Sequence, residues 1–315
     1  MPVKITLDIF SGRPNPYFSI SDSAAKQFLD KLSFGRFNRI TDKSDPFPTS
    51  LGFRGLLLEQ AAKKAKADLP TRVYITHDAV FAEDNIAKGD MGAPISSFIF
   101  ENLQSLKKAD GIPSLKKHLQ RLIDEFAQQR ADYIRNHHKY YAATLKEFYG
   151  PIRMATCACS PVPDLDAWNS NPSIQSMNNC YNYSTNYRTD TYGQPGMAAG
   201  QQYNDLSACT VPAGNISAKM GAVADGLIDV PSNKNKCPRR GHLVALVISP
   251  NFDYHWYRKG RNGKWSHKMG GTPASILDNS GNPISDPRTA DRGSYVDFCT
   301  FMQVIHGHFK VEGPL

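Results

Sequence analysis

The first 156 of 315 residues contain no cysteine: all six, at 157, 159, 180, 209, 237 and 299, lie beyond them. Neither a C-x-x-C nor an H-x-x-x-H spacing occurs, and Cys157-Ala-Cys159 is one residue short of the former, so no metal and no cofactor is expected. No zinc finger, RNA-recognition motif or phosphate-binding loop is present, which leaves no specific nucleic-acid partner to expect. No run approaches 18 apolar residues, so no membrane-spanning helix is expected. MPVKITLDIF has no basic region followed by an apolar stretch. The expectation is therefore no secretory signal peptide, a cytoplasmic protein at synthesis, and export, where it occurs, by a non-classical or dedicated route.

What is present describes a globular chain. Hydrophobic residues make up 40% and charged residues 21%, outside the range of disorder. The formal charge of +8 is spread, with 22 Lys and Arg against 17 Asp and Glu in residues 1–150 and 15 against 12 thereafter. A diffuse excess of this kind suits a mildly basic surface and is compatible with anionic surroundings. The six cysteines permit disulfides without implying them.

Val3, Ile5, Leu7 and Ile9 alternate as in a strand, SGRPNP is a turn, and Ser21–Leu32 reads as a capped helix. Leu56–Ala67 reads as a second helix and Arg72–Thr76 as a strand. From Leu115 onward apolar residues recur in steps of three and four, predicting a long amphipathic helix over about 114–149, closed by Gly150-Pro151. Its Tyr133, His137, Tyr140 and Tyr141 stripe reads as a packing face. After Pro151 the texture turns to Asn, Ser, Tyr, Pro and Gly, then to apolar strands at 242–258 and 295–305. The fold class is α+β, with an N-terminal α+β domain of unknown role over 1–150 and a helix-then-strands domain over 151–315.

The second domain holds a candidate thiol centre. A cysteine nucleophile needs surroundings that activate it, a histidine to handle its proton, and a polar group to orient that histidine. Asn179-Cys180 follows a Pro- and Ser-rich loop, as a cysteine at a helix start does. Downstream, Gly241-His242-Leu243-Val244 opens a strand, Asp253-Tyr254-His255-Trp256-Tyr257 a second, and Asn262-Gly263 a turn that leads back to His267. A hairpin there brings His255 and His267, 12 residues apart, near each other.

This block resembles the NlpC/P60 family of papain-like peptidases, in which a G-D-L-V-like strand precedes an H-V-x-I-Y strand, a G-N-G turn and a second histidine. The resemblance implies Cys180 as nucleophile, His255 as base and His267 as the orienting third residue of an amide hydrolase acting on peptides, among them those of peptidoglycan. Asn179, Asp253, Tyr181 and Trp256 are candidates for orienting or substrate contact. The chain departs from the family in the bulky Tyr181-Asn182 after the cysteine and in the 75 residues from Cys180 to His255, which place an insertion over about 190–237.

Two alternatives stand beside it. The same centre could serve a toxin-like effector acting as protease, deamidase or acyltransferase on host protein or lipid. A catalytically silent module could instead bind glycan or peptide with Tyr181, Tyr183, Trp256, Tyr257 and Trp265. Zinc held by two histidines with Cys180, Asp253 or His242 is a weaker reading for want of ligand spacing. Oligomeric state is left open.

Overall fold

The computed structural model describes residues 2–40, 51–60, 70–83, 85–107, 119–121, 123–125, 130, 132–139, 157–162 and 164–314. These form an α+β protein of helices and antiparallel sheets, in two compact units. The first unit takes the described residues up to 130 apart from Phe10–Pro14 and Leu51; those belong with everything from Asp132 onward in the second. Along the described residues the chain passes from the first unit to the second between Arg130 and Asp132.

In the first unit the elements are β1 (Pro2–Asp8), β2 (Tyr17–Ser21), α1 (Asp22–Asp30), β3 (Ser33–Phe34), β4 (Asn38–Arg39), β5 (Gly55–Gln60), β6 (Arg72–Ile75), β7 (Ala79–Ala82), β8 (Asn85–Asp90) and α2 (Gly92–Asn102). The sheet runs β2-β1-β5-β6-β7-β8-β3, with β4 also on β8. The expected strand at residues 3–10 is β1, which buries Val3, Ile5 and Leu7. Ser21 caps α1, its hydroxyl accepting from the Ala24 N–H at 3.2 Å.

The helix expected over Leu56–Ala67 is corrected at its start: Gly55–Gln60 is a strand held between β1 and β6, and residues 61–69 lie outside the described residues. Three successive leucines do not distinguish a helix from a buried strand, and the two flanking pairings decide the matter. Of the long helix predicted over 114–149, the described residues between 119 and 139 are helical. Tyr133 is buried there, with its ring centroid 6.0 Å from that of His137; Tyr140 and Tyr141 lie outside the described residues.

The second unit contains α3 (Asp166–Asn169), α4 (Pro172–Met177), α5 (Cys180–Thr185), α6 (Ala218–Ala224), β9 (Ile228–Asp229), β10 (His242–Ser249), β11 (Asp253–Lys259), β12 (Trp265–Lys268), β13 (Ala274–Ser275) and β14 (Asp297–Val304). Its antiparallel sheet runs β13-β12-β11-β10-β14-β9. Every residue of β10 and β11 is buried; β10 is a nearly unbroken apolar run from Leu243 to Ile248, whereas β11 buries Asp253, His255, Arg258 and Lys259 among its aromatic residues. Val244, Leu246, Ile248, Tyr254 and Trp256 share one cluster with Cys180 and Tyr181 of α5. Leu243, Ala245, Val247, Tyr257 and Trp265 pack in another with Met269, Ile284 and Tyr295. Disulfides join Cys157 to Cys237 and Cys209 to Cys299, and they tie the 190–237 stretch to the rest of the unit. Cys159 and Cys180 are free thiols, the first exposed and the second buried.

Candidate functional site

Asn179 starts α5 with a capping box. Its Oδ1 accepts from the N–H groups of Tyr181 (3.0 Å) and Asn182 (3.2 Å), and the Asn182 side chain accepts from the Asn179 N–H at 3.3 Å. Its Nδ2 donates to the carbonyls of Gly12 and Gly193, both at 2.7 Å. The side-chain amide is thereby fully used, and Cys180 is fixed as the first helical residue.

β12 pairs with β11 only along Tyr257–Lys259. Beyond Tyr257 the edge of β11 is met by other groups. The Trp256 N–H donates to Cys180 Sγ, and the Ser11 hydroxyl lies against that sulfur as a second partner. Ser11 Oγ also donates to the Tyr254 carbonyl at 2.8 Å. Cys180 and Ser11 thus stand where a longer β12 would run, on either side of the backbone of His255. Burial pushes the Cys180 thiol well above its ordinary range, nearby Asp253 adds to the rise, and the Trp256 and Ser11 donors oppose it. In this arrangement Cys180 is a neutral thiol.

His255 and His267 are brought together as the hairpin register requires. Tyr257 pairs with His267, which places His255 diagonally across from it on the same face. His255 Nε2 lies 2.9 Å from His267 Nδ1, and His267 Nε2 lies 2.8 Å from the Leu277 carbonyl. A carbonyl only accepts, so His267 carries its proton on Nε2. Burial lowers the His267 pKa to about 4, with the Leu277 carbonyl acting in the opposite direction, so its Nδ1 is a lone-pair acceptor at neutral pH. His255 must then donate from Nε2, which leaves Nδ1 as its basic nitrogen. The rings of Tyr257, Tyr295 and His267 surround His255, with centroids at 4.7, 6.1 and 5.0 Å.

Asp253 has other partners. Its carboxylate accepts from the backbone N–H groups of Ser11 (2.6 Å), Gly12 (3.3 Å) and Arg13 (3.2 Å), and from the Tyr295 hydroxyl at 2.6 Å. Burial raises its pKa, and the hydrogen bonds resist the rise. Tyr181 donates to Asp225 at 2.9 Å and packs its ring 5.5 Å from Trp256. Tyr181, Tyr183, Trp256, Tyr257 and Trp265 are all 1% exposed or less, so the open aromatic groove of the silent-module reading is absent from these residues. They are core, because both faces of the sheet are covered. His242 Nε2 meets the Ser184 carbonyl at 2.7 Å. Among the described residues no three His, Cys, Asp or Glu side chains gather as metal ligands would.

Sequence reasoning passed over Ser11, Gly12, Arg13, Gln194, Tyr254, Gly270 and Tyr295. Ser11 is 242 residues from its Asp253 partner, and SGRPNP announces a turn without announcing what the turn touches.

The chain is similar to insoluble matrix shell protein 1 of Ruditapes philippinarum, with 43% identity over 156 residues, which is 48% of this chain and 95% of that protein. No family model and no solved structure matches. No helix among the described residues is long and apolar enough to cross a membrane.

Proposed function

The chain belongs to the family of insoluble matrix shell protein 1, and from the geometry around β11 and α5 we propose that its second unit is a secreted, papain-like, cysteine-dependent amide hydrolase acting on peptides of an extracellular matrix. Cys180 is the nucleophile, His255 the base and His267 the residue that orients it. The observation that carries this reading is the His255–His267 hydrogen bond of 2.9 Å, anchored on the Leu277 carbonyl, which fixes a proton on Nε2 of His255 and leaves Nδ1 basic. Two disulfides favour an oxidising compartment, in place of the cytoplasm suggested by the sequence start.

In the proposed reaction His255 Nδ1 takes the Cys180 thiol proton, and Sγ attacks an amide carbonyl carbon. The N–H groups of Cys180 and Gly270, which converge on one carbonyl oxygen here, hold the developing oxyanion. The imidazolium protonates the leaving amine, and water hydrolyses the thioester.

A second reading, a silent structural module of an insoluble matrix, is favoured by the complete burial of Cys180 and by the name of the relative. Amide release from a peptide panel and from purified peptidoglycan separates the two. The hydrolase reading expects turnover that Cys180→Ala abolishes and His267→Ala lowers about 100-fold or more. Equal release by Cys180→Ala, or none from the wild type and from variants with Phe10–Pro14 displaced, leaves the silent module.

A further inference from the structure

Within the second unit, residues Phe10–Pro14 are held by a set of contacts of the kind a bound peptide receives. The Ser11 carbonyl accepts from the N–H groups of Cys180 (3.4 Å) and Gly270 (3.1 Å). The Gly12 carbonyl accepts from Asn179 Nδ2 (2.7 Å), Gln194 Nε2 (2.9 Å) and the Tyr254 hydroxyl (3.1 Å). Asp253 accepts from three successive N–H groups of the segment, and the Arg13 guanidinium donates to the Phe252 carbonyl at 2.9 Å. Both peptide groups flanking the Ser11–Gly12 bond are therefore gripped by side chains or backbone of the thiol centre, and Ser11 Oγ touches the nucleophile itself.

We propose that Phe10–Pro14 occupies the peptide groove of the thiol centre as a built-in substrate mimic, and that the centre's substrates are peptides with serine on the acyl side and glycine on the amine side of the bond to be cut. The inference rests on the thiol-hydrolase reading. Glycine is demanded by space: a Cβ on Gly12 would stand 2.4 Å from the Tyr254 ring. That ring is fully buried and held by its hydroxyl to Gly12 and Gln194, so it cannot give way. A small hydroxyl residue is demanded on the other side, where Ser11 Oγ donates to the Tyr254 carbonyl beside Asp253. For a free peptide that displaces the segment, the thiol proton passes to His255 and an Sγ–C bond forms at the serine carbonyl. The C–N bond to glycine breaks as the amine takes that proton, and water then releases the serine carboxylate and restores the thiol.

Gly12→Val tests the placement, because the added methyls cannot coexist with Tyr254. Iodoacetamide labelling of the folded protein, followed by peptide mass mapping, reads access to Cys180, and exposed Cys159 serves as the internal reference. The expected result is slow labelling of Cys180 in the wild type and at least a 10-fold rise in Gly12→Val, with Cys159 unchanged. Arg13→Ala, which removes the Phe252 hydrogen bond and the guanidinium contact at 5.0 Å from the Phe10 ring, gives a smaller rise and carries the test if Gly12→Val fails to fold. Equal Cys180 labelling in wild type and variants overturns the groove assignment and leaves the hydrolase reading standing. Acetyl-Phe-Ser-Gly-Arg-amide and its Ser-Ala counterpart then read the chemistry. The expected result is cleavage at Ser–Gly by the displaced variant, at least 10-fold faster than at Ser–Ala. Equal rates overturn the substrate class, and raised labelling with neither peptide cut overturns the hydrolase reading itself.

Discussion

In the first unit the buried Asp8 carboxylate faces the Arg54 guanidinium, whereas in the second the buried Asp253 carboxylate faces backbone N–H groups and the Tyr295 hydroxyl. Arg54 Nε and Nη2 meet the two Asp8 oxygens at 3.1 and 2.5 Å, and the Tyr74 hydroxyl donates to the same carboxylate at 2.6 Å. That site is complete in itself: a forked pair, neutral overall, joining β1 to the residues before β5. Asp253 has amide and hydroxyl donors in place of a bidentate cation, and it stands among other buried titratable groups, Cys180, His255 and His267. A sheet needs no such groups for its stability, and their concentration around β11 is one of the observations behind the proposed thiol centre. The same contrast extends to covalent ties, since all six cysteines belong to residues 157–299.

The largest expected effect therefore comes from reduction. Replacing Cys157 and Cys209 by alanine opens loops of 80 and 90 residues, each worth about 4–5 kcal/mol on the chain-entropy model and about 2–5 kcal/mol in ordinary practice. All three tryptophans, at 168, 256 and 265, lie in the second unit, so tryptophan fluorescence in urea reports on that unit. Its midpoint should collapse, while hydrogen-exchange protection of the β1 and β5 amides persists. Equal loss of protection in β1 and β5 would show that the two units unfold as one.

Next in size is Arg54→Met, which strands the Asp8 carboxylate in the interior. Loss of one partner of a buried pair costs about 3–5 kcal/mol. Exchange protection of β1 and β5 should fall accordingly, with the fluorescence transition unmoved. The double change Asp8→Leu with Arg54→Met should recover much of the loss, because the penalty belongs to the unpaired charge and not to the absence of a bridge. No recovery would mean that the pair also fixes the strand register.

Local sequence pattern marked β1, α1 and the β10–β11–β12 region, by alternation in the first, a capped amphipathic stretch in the second and apolar or aromatic runs broken by turns in the third. The 12-residue spacing across Asn262-Gly263 placed His255 and His267 together. Leu56–Gln60 was not legible: whether three leucines coil or extend depends on β1 and β6, which flank them in space and not in sequence. The role of Asp253 was hidden likewise. Its spacing of two from His255 put it on the right strand face, yet its hydrogen-bond partners come from the turn after β1, over 240 residues away. The Asn179 amide illustrates both cases at once. Its cap to Tyr181 and Asn182 is local and readable, and its grip on Gly12 is not.

The smallest effect is also the most specific to the second unit. Burial lowers the pKa of His267 to about 4 and of His242 to about 3, against about 6.5 in an unfolded chain. The unfolded state therefore takes up these two protons first as pH falls. The stability that the neutral rings contribute is complete above pH 6.5 and is lost toward pH 4 and then 3, at about 1.4 kcal/mol per pH unit for each ring. Asp225 runs the other way. Burial raises its pKa to about 6, against the donors Gly196 N–H and Tyr181 hydroxyl, so the folded state takes up a proton that the unfolded carboxyl still releases. Its destabilising contribution at neutral pH fades as pH falls from 6 toward its unfolded value. The wild-type fluorescence midpoint in urea should thus decline gently between pH 6 and 4, the histidine slopes being partly offset. Asp225→Asn removes its share of the offset, Asp253 and Asp278 supplying the rest, while keeping an oxygen to accept from Gly196 and Tyr181, and its midpoint should decline more steeply over the same interval. His242→Gln acts in the reverse sense and flattens the profile. Parallel profiles for wild type and Asp225→Asn would show that this carboxyl titrates alike in the folded and unfolded states.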